Sequence, residues 1–128
     1  AKSRIETQRT IDRLMTDEFV TVSSTEDIQA VASKMKAMSS EAALVVSPRG
    51  ALVGIITDWD IVLAVANRMD AGRRASEIMT EHVVAFQPHE NVVDVMPLAR
   101  KRGYSVMPVI DGERGVLGVI RLQDLIEI

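Results

Sequence analysis

The sequence predicts an α+β fold of two β-α-β-β-α repeats packed through their sheets. Three observations lead there. First, the chain matches itself at a fixed offset without a gap. Leu14-Met15-Thr16 falls on Ile78-Met79-Thr80, Val20 on Val84, Glu26 on Glu90, Val31 on Val95, Val45 on Val109, Gly54-Ile55-Ile56 on Gly118-Val119-Ile120, and Asp60 on Asp124. A gapless duplication that lays apolar positions on apolar positions marks a repeated fold unit. Second, both copies run through the same order of periodic segments. Third, a lone half of about 55 residues is marginally stable by size, so two halves gain by sharing a core.

The elements follow in order. In the first copy Phe19 to Val22 reads as a short β segment. Ser24 or Thr25 is placed to cap a helix, with Glu26 and Asp27 favourable in its first turn. Ile28, Val31, Ala32 and Met35 then recur at helical spacing. Ala42 to Val46 is an apolar run of strand length, Ser47-Pro48-Arg49-Gly50 a turn, and Ala51 to Ile56 the next strand. A helix follows from Asp58 to Met69, with Ile61, Val62, Val65 and Ala66 as its apolar face. In the second copy Val83 to Phe86 is the short β segment, and Glu90 to Arg102 is the helix, with Gly103 as its C′ residue. Val106 to Ile110 is a strand, Asp111-Gly112 a hairpin turn, Gly115 to Ile120 a strand, and the last helix starts at Leu122. Pro97 falls inside the second-copy helix, where it should kink the helix or shift its boundary. The domain map is therefore an extension over residues 1–10, a first repeat over 11–69, a linker over 70–74 and a second repeat over 75–128.

Composition removes several classes of function. Four aromatics, Phe19, Trp59, Phe86 and Tyr104, leave the core to aliphatic side chains. A net charge of −3 gives no bulk attraction to nucleic acid. The absence of cysteine removes disulfides, thiol catalysis and thiolate metal sites, and is compatible with a cytoplasmic location. No apolar run approaches the ~20 residues that span a membrane. The segment Ala1 to Arg9 is polar and basic, unlike a signal peptide. No phosphate-binding glycine loop, dinucleotide fingerprint or Ser/His/Asp signature is present.

The repeated string Met-Thr, then Val-Thr-Val, then an apolar strand, then Gly-Ile-Ile-Thr-Asp-Trp-Asp resembles a CBS repeat, the family named after cystathionine β-synthase. Two in tandem resemble a Bateman module, and the resemblance covers residues 11–128. It implies two repeats related by pseudo-two-fold symmetry, with two clefts formed by strands of both. It also implies an adenine nucleotide or adenosyl compound such as AMP, ADP, ATP or S-adenosylmethionine as regulatory ligand, and a flat homodimer that signals to an effector protein.

The resemblance assigns a first site that joins Ile55, Thr57 and Asp60 to Val84, Ala85 and Phe86 and to Ser105, Val106, Met107 and Pro108. Thr57 would meet phosphate or ribose, and Asp60 the ribose hydroxyls. The chemistry suits those roles. Free N–H groups at a helix start attract phosphate oxygens, and an ionised carboxylate accepts from a diol. Thr57 with Asp60 three residues on also reads as a capping box, and both readings stand at this point. A second, weaker site would join Val119, Arg121 and Asp124 to Val20, Thr21 and Val22 and to Ala42, Ala43 and Leu44. There Arg121 replaces the threonine, either gripping a phosphate or filling the cleft. Glu41, in the place of Ser105, disfavours a polyphosphate.

Other residues admit plainer readings. Arg100, Lys101 and Arg102 suit a helix C-terminus or could reach phosphates. Asp58-x-Asp60 lacks the supporting ligands of a metal site, and His82 and His89 have no third ligand nearby. Met35, Met38, Met69, Met79, Met96 and Met107 read as core or dimer-face packing, with Met107 also a cleft candidate. Trp59 reads as packing or interface. The expected function is a non-catalytic regulatory module with no metal and no resident cofactor. It would dimerise through the helices around Ile61–Ala66 and Leu122–Ile128, with no nucleic acid partner and no membrane insertion. The alternative is a structural dimerisation module with empty clefts. A small nucleotide-acting enzyme is a third class, for which the sequence offers no base, nucleophile or metal set.

Overall fold

A computed structural model describes residues 9–102 and 105–126, so the expected C′ residue Gly103, Tyr104 and the chain ends lie outside the described residues. The fold is mixed α+β. In chain order the strands are β1 (Val20–Ser23), β2 (Ala42–Val46), β3 (Leu52–Thr57), β4 (Val106–Ile110) and β5 (Val116–Arg121). The helices are α1 (Ile28–Ala37), α2 (Asp58–Ala66), α3 (Val92–Arg102) and α4 (Leu122–Ile126), with 3-10 turns at Ile11–Arg13 and Ala75–Glu77.

The chain divides into two compact units, Phe19–Val83 and the chain on either side of it. They do not coincide with the stretches that repeat. The segment 73–80, which leads into the second copy, packs on the first; residues 9–16, which lead into the first, pack on the second.

In the unit Phe19–Val83, β1 pairs parallel with β2, and β2 antiparallel with β3. One face carries Val20, Val22, Ala43, Val45 and Ile56, packed with Val31 and Met35 of α1 and with Ala75. Alternation along β1 places Val20 and Val22 inside and Thr21 and Ser23 outside. The cap of α1 differs from expectation. Asp27 is the N-cap residue and accepts from Ala30 N at 2.7 Å. Ser23 and Thr25 bond each other, and Glu26 turns back to accept from Ser23 N. The short Asp27 carboxylate reaches the first-turn amide once that preceding turn is closed. The stretch 70–74 is not a loose tether, because Ala71 O and Arg73 O accept from Gln29 N and Ile28 N at the start of α1. Helix α2 stops at Ala66, three residues before the expected end, and Arg68 takes a left-handed φ of 57°.

In the other unit, β4 and β5 form a two-stranded antiparallel sheet. Its core joins Ile11, Phe86, Val92, Val95, Ala99, Met107, Val109, Ile120 and Leu125. The expected strand Val83 to Phe86 is reduced to one parallel bridge, Phe86 to Val109, with Phe86 N on Pro108 O and Ile110 N on Phe86 O. The next rung would need an N–H at position 108, and proline has none. The first copy has Leu44 there and forms the full ladder. Pro97 lies inside α3 and does not end it, and the helix starts at Val92, two residues after the expected Glu90. Both Pro97 and Val93, whose carbonyl loses its partner, are exposed, so water can take that bond.

Candidate functional site

The two closing motifs, at the ends of β3 and β5, are where the copies differ most in chemistry. At the first, Thr57 ends β3 in extended conformation and caps α2. Its hydroxyl accepts from Asp60 N at 3.3 Å, and Asp60 Oδ2 accepts from Thr57 N at 2.8 Å and from the Thr57 hydroxyl at 3.1 Å. The capping box is therefore built, and it uses one carboxylate oxygen. Oδ1 has no bond to the chain among the described residues, and Asp60 remains partly exposed. The cap fixes the carboxylate and leaves an acceptor that can receive two hydroxyl donors.

The expected phosphate cradle at the start of α2 is not there. Asp58 N donates to Glu41 O at 2.9 Å, Trp59 N to Asp58 Oδ1 at 2.8 Å, and Asp60 N to Thr57 Oγ1. Every amide of that first turn already has an acceptor, and the turn adds the charges of Asp58 and Asp60. A phosphate would find no donor and two like charges there.

At the second motif Arg121 Nε donates to Asp124 Oδ2 at 3.2 Å, an i,i+3 ion pair. Arg121 is exposed and leads into α4, whose Leu122 N donates to Ser105 O. The carboxylate that matches Asp60 is thus neutralised by its own chain.

Ile55 has both backbone groups engaged. Ile55 N donates to Thr80 O at 3.0 Å and Thr80 N to Ile55 O at 2.9 Å, so only its half-buried side chain is open to a ligand. Val119 is held by Thr16 in the same way, and its side chain is buried. Thr16 and Thr80 have no role in the site read from sequence, although the repeated Met-Thr opening is the signal that marks them.

Each named residue can be placed within its own unit. Phe86 and Met107 turn into the core of their unit, as do Val20, Val22 and Ala43 in theirs. They hold strands in place and offer little surface to a ligand. Pro108, Ala42 and Leu44 are also buried. Val84, Ala85, Ser105 and Val106 keep partly exposed side chains, and Thr21 is exposed. Trp59 is 62% exposed. Met38 is exposed, whereas Met35 and Met107 are core residues. His82, His89, Arg100 and Lys101 are exposed. Among the described residues no group of three or more His, Asp or Glu could hold a metal ion, and no helix is long and apolar enough to cross a membrane.

Two mixed α+β units, each closed by a strand-to-helix motif with a fixed acid, define a tandem module of one repeated unit. The CBS domain family model matches residues 11–67 and 75–128, and the chain belongs to that family as a tandem pair. It is 39% identical over 123 residues to L-aspartate semialdehyde sulfurtransferase of Methanosarcina acetivorans, covering 94% of this chain but 24% of that protein. It is 32% identical over 112 residues to the CBS domain-containing protein YhcV of Bacillus subtilis, covering 87% of this chain and 79% of that one. Its fold is similar to the crystal structure of the CBS domain pair of protein MJ0100 in complex with 5′-methylthioadenosine and S-adenosyl-L-methionine. That match has a TM-score of 0.85 and 28% identity, over 93% of this chain and 94% of that chain. This chain thus spans about a quarter of the sulfurtransferase it matches.

Proposed function

We propose that this chain is a non-catalytic regulatory module that binds an adenosyl compound at the first closing motif and reports it to a partner. The observation that carries the reading is the geometry of Asp60, whose Oδ2 is held by the cap while Oδ1 is left for ribose hydroxyls. Support comes from the CBS pair of MJ0100, whose ligands are 5′-methylthioadenosine and S-adenosyl-L-methionine. Neither of those ligands carries a phosphate, which suits a first turn with no free amide. The ligand-facing set within the unit Phe19–Val83 is Ile55, Thr57 and Asp60; Val84, Ala85, Ser105 and Val106 enter the reading through the family resemblance alone. Repeats over 11–69 and 75–128 joined by 70–74, a homodimer through the helices around Ile61–Ala66 and Leu122–Ile128, a cytoplasmic location and an effector protein belong to the same reading.

A ligand at 100 times its Kd stabilises the fold by about 2.7 kcal/mol, enough for a melting shift of several degrees in a domain of this size. Thermal shift with S-adenosylmethionine, 5′-methylthioadenosine, AMP, ATP, NAD and c-di-AMP tests the proposal. The adenosyl compounds should raise Tm more than ATP does, and Asp60→Ala should abolish the shift while Asp124→Ala leaves it. A larger shift with ATP would refute the phosphate-free ligand, and equal loss in both variants would refute the choice of site. The second reading, a dimerisation module with empty clefts, is favoured by the Arg121–Asp124 pair and by exposed Trp59, Val62 and Val65 on α2. A dimer by light scattering with no thermal response to any ligand would establish it.

A further inference from the structure

The segments that lead into the two copies are themselves repeated, and each closes the unit built on the other copy. Residues 9–16 bond to their unit at both ends. Val92 N donates to Arg9 O and Ile11 N to Glu90 O, while Thr16 and Val119 exchange a pair of bonds at 2.9 Å. Residues 73–80 make the matching set. Ile28 N donates to Arg73 O and Ala75 N to Glu26 O, while Thr80 and Ile55 exchange their pair. Bridges Thr10 to Asn91 and Arg74 to Asp27 occupy matching positions. The backbone bonds therefore do not say which segment goes to which unit.

The buried anchors do. Ile11 and Ala75 occupy the same place in the repeat, and each is 0% exposed in its core. The cores around them differ at matching positions: Val22, Met35 and Ala43 in the core with Ala75 stand where Phe86, Ala99 and Met107 stand in the core with Ile11. With neither position exposed, isoleucine at the Ala75 position would overpack, and alanine at the Ile11 position would leave a void. We propose that Ile11 and Ala75 are the specificity-determining residues of two docking grooves whose backbone bonds are equivalent. Their sizes direct each leading segment to the unit of the other copy and away from its own. The partner that each groove fits is a short segment with a buried aliphatic anchor followed by a Met-Thr end, and the groove built on the second copy selects the larger anchor. This inference is independent of any ligand.

The chain has no cysteine, so introduced thiols report on docking directly. Directly opposed antiparallel residues lie at a spacing that a disulfide can bridge. Thr16→Cys with Val119→Cys, and Thr80→Cys with Ile55→Cys, report the observed docking. Thr16→Cys with Ile55→Cys, and Thr80→Cys with Val119→Cys, report the crossed one. In the full chain only the observed pairs should oxidise. In the anchor-exchanged chain, Ile11→Ala with Ala75→Ile, the crossed pairs should form within or between chains, rising about tenfold or more, the shift that overpacking of ordinary size produces. The exchanged chain should also melt higher than the two single substitutions predict by addition. Observed pairs alone in the exchanged chain, with additive loss of Tm, would overturn the proposal. So would an exchanged chain that fails to fold although both single variants fold. If Ala75→Ile alone does not fold, Ala75→Val replaces it, with the same expected direction and the same outcomes against it.

Discussion

Thr57 and Asp60 hold each other, and the consequence for stability separates from the consequence for binding. Thr57→Ala removes one cap acceptor and should cost about 1 kcal/mol, read by urea denaturation. It leaves the backbone bond from Thr57 N to Asp60 intact, so ligand affinity should fall less than with Asp60→Ala. An affinity loss from Thr57→Ala as large as that from Asp60→Ala would show that the hydroxyl itself contacts the ligand. Gly54 and Gly118 support a second pair of comparisons. A Cβ on Gly118 would lie 2.6 Å from the backbone oxygen of Thr16, while one on Gly54 would lie 2.6 Å from the Met79 sulfur and 3.1 Å from Thr80 O. A methionine side chain can move aside; a hydrogen-bonded backbone cannot without giving up its pairing. Gly118→Ala should therefore destabilise by about 1–3 kcal/mol, the range for overpacking, and Gly54→Ala by less. The reverse order in denaturation midpoints would contradict the docking of residues 9–16 on β5.

At the scale of elements, Pro108 decides whether the segment before it pairs as a strand. Replacing it with leucine, the residue at the matching position of the first copy, restores the donor for the next rung. Pro108→Leu should bring a slowly exchanging amide at position 108 and extend the pairing toward Val84, as hydrogen exchange by NMR would show; fast exchange there would mean that the missing N–H is not what limits the strand. Pro97→Ala gives α3 back one internal bond. It should stabilise by about 1–3 kcal/mol, within the known gap between the two residues in a helix interior. Much of this layer was legible in the sequence. Ala42–Val46 and Val106–Ile110 are apolar runs bounded by turn residues, and the structure has strands over those residues. What escaped was set by bonds between segments distant in sequence. The Asp27 cap depends on the turn before it, and the lost strand at Val83–Phe86 depends on the residue opposite it. At the closing motif, both the cap and the acid were readable from Thr57 and Asp60. The engagement of the first-turn amides was not, because one acceptor is the Glu41 carbonyl on a neighbouring strand end.

For the molecule as a whole, the leading segments imply that closing each unit depends on residues far away in the chain, and one of these closures is sensitive to acid. Glu77 accepts from Arg73 Nε at 2.8 Å and from Arg74 N at 2.9 Å, which fixes the turn of the segment docked on α1. The Arg73 guanidinium and the Arg74 amide hold the Glu77 carboxyl down at about 2. Lys34 Nζ at 2.6 Å, joined by Ser23 N, lowers the carboxyl of Glu26, which sits at the other side of the same docking. A carboxyl lowered by folding adds stability that is present above its unfolded value and is lost as pH falls through the folded one. The window for Glu77 therefore runs from about 4.5 down to about 2. Glu77 is exposed and Glu26 partly exposed, so the effect is a graded loosening and not an acid transition of the whole chain. Hydrogen exchange should show the amides of Ile28 and Ala75 losing protection across that window before the β2–β3 amides do. Glu77→Gln should lower protection at pH 7 and flatten the dependence on pH. High salt should act in the same direction by screening the ion pairs. Uniform loss of protection in all three strands, unchanged by Glu77→Gln, would mean that acid acts on the unit globally and not through the docked segment.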